Sequence, residues 1–239
     1  MKDTFFSSKS VVVTGATRGI GAAIAEAFQA KGLRVIGTGT HHNAKDNFDQ
    51  YIQADFSDLA QIYKCAELIK YLEPDILINN AGICINSPFI DIDPVIFQKI
   101  QQVNLFAPFL LSQSVIPNMK KNGWGRIVNI SSVWGKVSKQ YRASYSASKF
   151  ALDGLNVSLA AEHAKDGILA NCVAPGFTDT DLTRSALSEN EIDEITKTVP
   201  IGRLANTKEI ADLVVWLSSP ANSYISGQSI YIDGGFSRV

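Results

Sequence analysis

The stretch Val11-Val-Val-Thr-Gly15-Ala-Thr-Arg18-Gly19-Ile-Gly21-Ala-Ala-Ile24 decides the fold of this chain. Its apolar beginning is typical of a strand buried on both faces, and its end starts a helical pattern. Three glycines lie between the two elements, where a side chain would hold an anion away from the backbone. The N–H groups and the helix dipole of such a turn favour a pyrophosphate, although an ordinary strand–helix turn with packing glycines has the same pattern.

The rest of the chain repeats this alternation of strand and helix. The pattern predicts one α/β domain over residues 1–239, a doubly wound Rossmann domain with a seven-stranded parallel sheet and helices on both faces. The stretch His41–Gln50 is short for a full crossover helix, so we expect a turn or a single helical turn there. The predicted strands are Val11–Thr14, Leu33–Thr38, Tyr51–Ala54, Asp75–Asn79, Arg126–Ile130, Leu169–Ala174 and Ser229–Ile232, and the predicted helices are Ile20–Ala30, Asp58–Tyr71, Pro94–Met119, Tyr145–His163 and Thr207–Ser218.

Composition narrows the classes of function. The 239 residues carry a net charge of −1 and no dense Lys/Arg stripe, so we expect neither nucleic acid nor a membrane surface as a partner. The N-terminus lacks an apolar leader and no apolar run reaches about 18 residues, so a cytoplasmic protein is expected. Cys65, Cys84 and Cys172 are far apart and none has a histidine at metal-ligand spacing, which predicts reduced thiols and no metal site.

The residues after the second strand bear on the choice of nucleotide. Dinucleotide folds that bind NAD place a carboxylate here to hold the ribose 2′-hydroxyl, and no carboxylate occurs between Leu33 and Ala44. Arg18, within the glycine turn, offers a planar cation for a 2′-phosphate, although it could also be a solvated surface residue. Together the two features favour NADP.

Two further segments fall at the carboxyl edge of the predicted sheet, where ligands bind in open α/β folds. Asp55 follows the third strand and would accept from an adenine amino group, cap the helix that begins near Asp58, or do both. Asn79-Asn80-Ala81-Gly82 ends the fourth strand, where the amides would tie neighbouring strands beside a ligand or form a plain turn.

Chemistry is indicated at Ser132 and at Tyr145-Ser-Ala-Ser-Lys149. Tyr145 and Lys149 are four residues apart on a predicted helix, and so lie on one face. We expect the lysine cation to lower the pKa of the phenol, which then donates a proton to a carbonyl oxygen that Ser132 also binds. A surface Tyr–Lys pair on an amphipathic helix would show the same spacing, and Ser131 is the alternative for the serine.

These segments together resemble one family. The chain from about Ser10 onward is similar to the short-chain dehydrogenase/reductases of the compact type, on Thr14-Gly15-x-x-x-Gly19-Ile20-Gly21, Asn79-Asn80-Ala81-Gly82, Asn104, Ser132, Tyr145-x-x-x-Lys149, Pro175-Gly176 and Asp233-Gly234-Gly235.

The resemblance implies a catalytic tetrad and a nucleotide site. Tyr145 would be the acid/base, Lys149 would lower its pKa and hold the nicotinamide ribose, Ser132 would orient the carbonyl, and Asn104 would hold a water that feeds a proton relay. Ser132 matches the family's serine better than Ser131 by its distance from Tyr145. The residues implied to contact NADP(H) are Gly15, Ala16, Thr17, Arg18, Gly19, Ile20, Gly21, Thr40, Asp55, Phe56, Asn80, Ala81, Gly82, Tyr145, Lys149, Pro175, Gly176 and Thr178.

Within the family, the segments after the sixth strand are most similar to bacterial 3-oxoacyl-(acyl-carrier-protein) reductases, which act in fatty acid biosynthesis. Gly123-Trp124-Gly125-Arg126 looks like the acetoacetyl-CoA reductases. The implied function is NADPH-dependent reduction of a ketone, with a 3-oxoacyl thioester as substrate. One alternative is a dehydrogenase of a secondary or ring alcohol, and another is a dinucleotide sensor without catalysis.

The resemblance also implies a substrate lid at about residues 178–200 and a homotetramer. The tetramer would be built partly from Pro94–Met119 and Tyr145–His163. A wide apolar face on the second helix would either join subunits or belong to the core; its residues are Phe150, Leu152, Leu155, Val157 and Leu159.

Overall fold

The computed structural model describes residues 5–41, 48–186 and 188–238. They form a seven-stranded parallel sheet and helices on both of its faces, which confirms the predicted fold class. The strands of the sheet are β1 (Ser10–Val13), β2 (Arg34–Gly39), β3 (Gln50–Gln53), β4 (Ile76–Asn79), β5 (Gly125–Ile130), β6 (Ile168–Pro175) and β9 (Ser229–Ile232); a separate short pair comprises β7 (Thr178–Asp179) and β8 (Ala205–Asn206).

Four of the five predicted helices begin and end within two residues of their predicted bounds, whereas the predicted helix Pro94–Met119 is divided in two and ends three residues later. The helices are α1 (Gly19–Ala30), α2 (Leu59–Leu72), α3 (Pro94–Gln101), α4 (Ala107–Asn122), α5 (Ala143–His163), α6 (Asp181–Ala186), α7 (Glu189–Thr198) and α8 (Thr207–Leu217). Residues 42–47 lie outside the described residues, and with them most of the stretch predicted as a turn between the second and third strands.

The strand order places a ligand cleft at the middle of the sheet. The order is β3-β2-β1-β4-β5-β6-β9, so the chain runs outward from β1 and then returns to start β4 on the other side of it. At this switch point the connections after β1 and β4 leave in opposite directions and open a crevice at the carboxyl ends of the strands. The glycine turn follows β1 and therefore borders that crevice.

The core has two layers because successive residues of a strand point to opposite faces. Val11 and Val13 pack with α1 and α8 on one face, and Val12 packs with α2 and α4 on the other. All three valines are fully buried. The continuous apolar run of β1 is thus explained by helices on both sides.

The predicted helix Pro94–Met119 contains an irregular turn. Gln102–Phe106 forms a π-helical segment between α3 and α4, and Asn104 is buried at its centre. One extra residue in the turn widens the helix, a local distortion that is frequent at functional sites. Among the described residues, no helix combines the length and the apolar character needed to cross a membrane.

Candidate active site

The glycine turn forms one end of a cleft of about 520 Å³. Gly15 and Gly19 have φ of +64° and +56°, which side chains rarely adopt. A Cβ on Gly21 would collide with the carbonyl oxygen of Gly15 and the amide nitrogen of Asn80. All three glycines are therefore required for the backbone to fold this closely at the start of α1.

Asn80 and Thr14 hold this turn against the end of β4. The Asn80 side-chain amide donates to the carbonyl oxygens of Thr14 at 2.9 Å and Gly15 at 3.2 Å. The Thr14 hydroxyl accepts from the backbone N–H groups of Asn80 and Ala81, both at 2.9 Å. Asn79 donates to Asn129 of β5 at 2.8 Å. The two asparagines thus join neighbouring strands, as one of the two sequence interpretations expected.

Asp55 lies at the cleft wall but does not cap the next helix. Its carboxylate accepts from the backbone N–H of Ser57 at 2.8 Å, which forms a tight turn. Asp58 is the cap of α2 and accepts from Ala60 at 2.9 Å. The capping interpretation of Asp55 is therefore wrong, because the helix begins later than that interpretation requires.

The centre of the cleft is formed by Ser132, Tyr145 and Lys149, which come from the end of β5 and from α5. Lys149 Nζ lies 5.6 Å from the centroid of the Tyr145 ring and donates to the carbonyl oxygen of Ile130 at 2.8 Å. Ser132 Oγ accepts from the backbone N–H of Trp134 at 3.2 Å. Tyr and Lys thus meet on one face of α5, and both face the cleft as their spacing predicts.

Asn104 stands behind this group rather than in the cleft wall. Its side-chain oxygen accepts from the backbone N–H of Ile83 at 2.9 Å, and its amide donates to the Ile83 carbonyl at 2.9 Å and to Ser148 Oγ at 3.0 Å. The side chain therefore fixes the segment after Gly82 to α5.

Burial controls the protonation of the central groups. It raises the pKa of Tyr145 to about 12, assisted by the nearby Cys84 thiol. The Ser132 hydroxyl and the Arg142 guanidinium oppose this rise in the Tyr145 pKa. Burial also lowers the pKa of Lys149 to about 8. The pKa of Tyr145 is thus raised and not lowered as expected, because desolvation of the phenol outweighs the effects of Ser132 and Arg142, and Lys149 is not among the groups that shift it.

The remaining cleft wall comes from the segment after β6. Gly176 packs against the backbone of Asp233, so a side chain there would collide. Thr178 is buried, and its hydroxyl donates to the Gly176 carbonyl at 3.2 Å. The side chain of Thr178 is thus held by its own loop.

Nearly all residues that the sequence singled out line this one cleft. Ala16 and Asn104 do not; both are buried beside it. Those that line it are Gly15, Thr17, Arg18, Gly19, Ile20, Gly21, Thr40, Asp55, Phe56, Asn80, Ala81, Gly82, Ser132, Tyr145, Lys149, Pro175, Gly176 and Thr178.

Several lining residues escaped the sequence analysis. Arg142 lies three residues before Tyr145, a spacing that could have indicated it. Cys84, Trp134 and Phe177 also line the cleft, but no motif marks them. Trp134 and Phe177 form edge-to-face contacts with each other at 6.1 Å and with Phe236 at 5.9 and 5.1 Å.

The cysteines are arranged independently of one another. Cys65 and Cys172 are buried, Cys84 is exposed, and all three are free thiols. Among the described residues, no three His, Cys, Asp or Glu side chains cluster as a metal site would require.

Comparison with known proteins agrees with this geometry. Residues 15–237 match the model of a family described as Enoyl-(Acyl carrier protein) reductase. A 3-oxoacyl-[acyl-carrier-protein] reductase of Salmonella typhimurium is 41% identical over 98% of this chain and 99% of its own length.

Two solved structures show the same likeness. A putative NAD(P) dependent gluconate 5-dehydrogenase from Beutenbergia cavernae, with bound NADP, is 34% identical with a TM-score of 0.91 over 96% of this chain and 97% of that one. A putative betaketoacyl-ACP reductase is 33% identical with a TM-score of 0.89 over 98% and 100%. The chain therefore belongs to the short-chain dehydrogenase/reductase family of oxidoreductases.

Proposed function

We propose that this chain is an NADPH-dependent carbonyl reductase whose substrate is a 3-oxoacyl thioester. The observation that carries the proposal is the meeting of Ser132, Tyr145 and Lys149 in a cleft that continues to the glycine turn. The curated relative named above is a 3-oxoacyl reductase, and the family resemblance favours the same substrate class.

The residues of the cleft fit a dinucleotide. Gly15 and Gly21 leave no room for a side chain, so backbone N–H groups at the start of α1 can approach a pyrophosphate. Arg18 is exposed at the cleft, where its guanidinium suits a 2′-phosphate. When bound, the reduced nicotinamide supplies the hydride.

The protein's own groups supply and guide the proton. The Tyr145 hydroxyl donates its proton to the carbonyl oxygen, and Ser132 donates a second hydrogen bond to that oxygen. Lys149 would hold the nicotinamide ribose and return a proton to Tyr145. The hydrogen bonds of the Asn104 side chain are used by Ile83 and Ser148, so we assign the relay water to its backbone carbonyl.

The protonation state of Tyr145 suits the proton donor of a reduction. A phenol whose pKa is raised to about 12 stays protonated near neutral pH and can act as an acid. Oxidation of an alcohol would need the phenolate, which burial disfavours. The gluconate 5-dehydrogenase likeness makes alcohol oxidation the second candidate.

Replacing one hydroxyl tests the proposal. Tyr145→Phe should lower kcat/KM for an acetoacetyl thioester by about 100- to 10,000-fold, because the proton donor is lost. The dissociation constant for NADPH, measured by fluorescence titration, should stay within about threefold because the phenyl ring remains.

Tyr141→Phe is the matched control, since this exposed tyrosine lies on the same segment outside the cleft wall. Tyr141→Phe should reduce the thioester at the wild-type rate. In the wild type, the rate should be higher with NADPH than with NADH. Near-normal turnover of Tyr145→Phe would remove the tetrad from the mechanism. Bound NADPH with no turnover of any ketone would instead favour the sensor.

The segment after β7 is proposed as the substrate lid. Thr180, Asp181 and Thr183 line the cleft, and no residue of α7 is buried. We propose that residues of about 178–200 cover the substrate, while residues 1–239 form one catalytic domain.

We also propose a homotetramer in the cytoplasm. The predicted apolar face of α5 divides in two: Leu152 is in the core, whereas Phe150 and Val157 are about half exposed. On α4, Phe109 is also exposed. These apolar side chains support subunit contacts through α4 and α5.

A further inference from the structure

One part of the cleft wall is apolar. Trp134 and Phe177 form this wall, and Phe236 supports both of them edge to face. Trp134 is buried at 8% exposure, so its position is fixed by packing. A substrate carbon skeleton would contact this wall while its ketone oxygen meets the hydroxyls of Ser132 and Tyr145.

Arg142 brings a positive charge to the same part of the cleft. It is the residue before α5 and lies one helical turn before Tyr145. Its Nη1 atom donates to Cys84 Sγ at 2.9 Å, and its Cζ atom lies 5.9 Å from the Trp134 ring centroid. The guanidinium is thus oriented by a thiol and an indole, and it lines the cleft.

No carboxylate neutralises this guanidinium within the described part of the chain. Other arginines of the region are paired: Arg184 binds Asp179 at 2.6 Å and Arg203 binds Glu209 at 2.7 Å. Arg142 uses one of five N–H donors for a weak sulfur acceptor. Its planar fork is therefore available for a bidentate contact, which a carboxylate fits best.

The acidic residues of the cleft lie towards the nucleotide end. Asp55 follows β3 and is engaged by Ser57. Asp181 follows Thr180, which lies beside Gly19 of the glycine turn. Lys99 of α3 adds another cation to the cleft wall. The region around Arg142 and Tyr145 therefore attracts an anion.

We propose that Arg142 gives this site a second class of substrate, small 3-oxo acids whose carboxylate pairs with the guanidinium while the ketone oxygen lies between Ser132 and Tyr145. The inference rests on the proposed reductase function. The carboxylate of such an acid occupies the place of the thioester carbonyl in a 3-oxoacyl substrate, because the two compounds share the same carbon skeleton.

The reaction leaves the carboxylate unchanged. The ketone carbon gains a hydride from the reduced nicotinamide, and the ketone oxygen gains the Tyr145 proton. The product is a 3-hydroxy acid, and the carbonyl group has gained a hydride and a proton, which together are two electrons and two protons. A charge-assisted hydrogen bond to the acid is about twice as strong as one to a neutral ester, so loss of Arg142 should affect the acid more.

The test compares acetoacetate, methyl acetoacetate and an acetoacetyl thioester of N-acetylcysteamine. Arg142→Gln should lower kcat/KM for acetoacetate by about 30- to 100-fold, mainly through KM. The same change should lower kcat/KM for the two neutral compounds by a smaller factor, below about tenfold, because for them only the influence of the guanidinium on the Tyr145 phenol is lost. The kcat/KM of Arg142→Lys for acetoacetate should lie between the values of the wild type and Arg142→Gln, because lysine keeps the positive charge but lacks the planar pair of donors.

Lys139→Gln is the matched control. Lys139 lies over the Trp134 ring at 5.5 Å, as Arg142 does, but is outside the cleft wall. It should leave all three values within about twofold of wild type, as expected for a solvated surface charge. NADPH binding and thermal unfolding, measured on each variant, will establish that Arg142→Gln is folded.

The outcomes separate this inference from the proposed function. If Tyr145-dependent reduction of the ester and thioester is observed but acetoacetate is not reduced, the inference is wrong and the reductase stands. Equal losses for acid and ester in Arg142→Gln would also overturn it, since the guanidinium would then act on the reaction and not on the carboxylate. If none of the three ketones is reduced, the proposed function itself fails.

Discussion

At the scale of single residues, the site is governed by the burial of two titratable groups. Tyr145 and Lys149 have pKa values moved in opposite directions, to about 12 and about 8. Both shifts favour the neutral forms, because desolvation penalises charge. Near neutral pH the phenol is therefore neutral while Lys149 still carries most of its charge, and the guanidinium of Arg142 is a further charge that opposes the rise in the Tyr145 pKa.

The lowered pKa of Lys149 predicts a dependence of stability on pH. Its value rises from about 8 in the folded protein to an ordinary 10.5 on unfolding, so the unfolded chain binds more protons between these pH values. Stability contributed by this residue therefore increases with pH in that window. We therefore expect the free energy of unfolding, measured with urea, to rise by about 2 kcal/mol more in the wild type than in Lys149→Met between pH 7 and pH 9.5.

Lys139→Met provides the reference, since this lysine is exposed and should show no such gain. A difference between wild type and Lys149→Met that stays constant with pH would contradict the shift. Lys149→Met should also abolish turnover.

The sequence predicted the central residues because their chemistry depends on spacing. Tyr145 and Lys149 had to share a helical face, and Ser132 had to follow a strand. The direction of the Tyr145 pKa was not predictable, because desolvation depends on packing by residues distant in the chain. Arg142 and Cys84 come from different segments, and their contact exists only in the folded protein.

At the scale of elements, the glycine turn is the most constrained part of the chain. A Cβ on Gly21 would overlap Gly15 and Asn80, whereas a Cβ on Gly19 would meet Thr180 at an ordinary 3.6 Å. Gly21→Ala should therefore lower the free energy of unfolding by about 3 kcal/mol and raise the dissociation constant for NADPH at least about tenfold. Gly19→Ala should lower the free energy of unfolding by about 1–2 kcal/mol, because the only strain on the new side chain comes from the positive φ at this position.

Thermal unfolding and NADPH titration of both variants will check this order. If Gly21→Ala unfolds at the same temperature as the wild type, the prediction is wrong, because the turn can then admit a methyl group with no loss of stability. The comparison is matched because both substitutions add the same methyl group within one turn.

The seven strands of the sheet and four of the five predicted helices were predicted from periodicity with ends accurate to two residues. Strands that are buried on both faces give long apolar runs, which is why β1 and β4 were located so closely. The π-helical turn Gln102–Phe106 was missed, because one extra residue scarcely alters a helical pattern. The short pair β7 and β8 was also missed, since two residues carry no period.

At the scale of the whole molecule, the unexplained feature is the apolar surface of α4 and α5. Phe150 and Val157 are 49% and 50% exposed on one face of α5. The proposed tetramer would bury them, so light scattering after size exclusion should give four times the 25.9 kDa chain mass. Val157→Glu should reduce this mass, because the charge would be desolvated at the contact.

Tyr71→Glu is the control for that change. Tyr71 is 85% exposed at the end of α2 and belongs to a different surface. It should leave the mass unchanged. A wild-type monomer would overturn the proposed tetramer, and a Val157→Glu tetramer would place the contact elsewhere.

The hydrogen bonds of Asn80 and Thr14 have a consequence for how the nucleotide is received. They lock the loop after β1 to the loop after β4, without help from any ligand. A preformed cleft loses little conformational entropy when a ligand binds, so most of the entropy lost on binding comes from the flexible dinucleotide. The half of the cleft that receives the coenzyme is thus preorganised by hydrogen bonds of the protein itself.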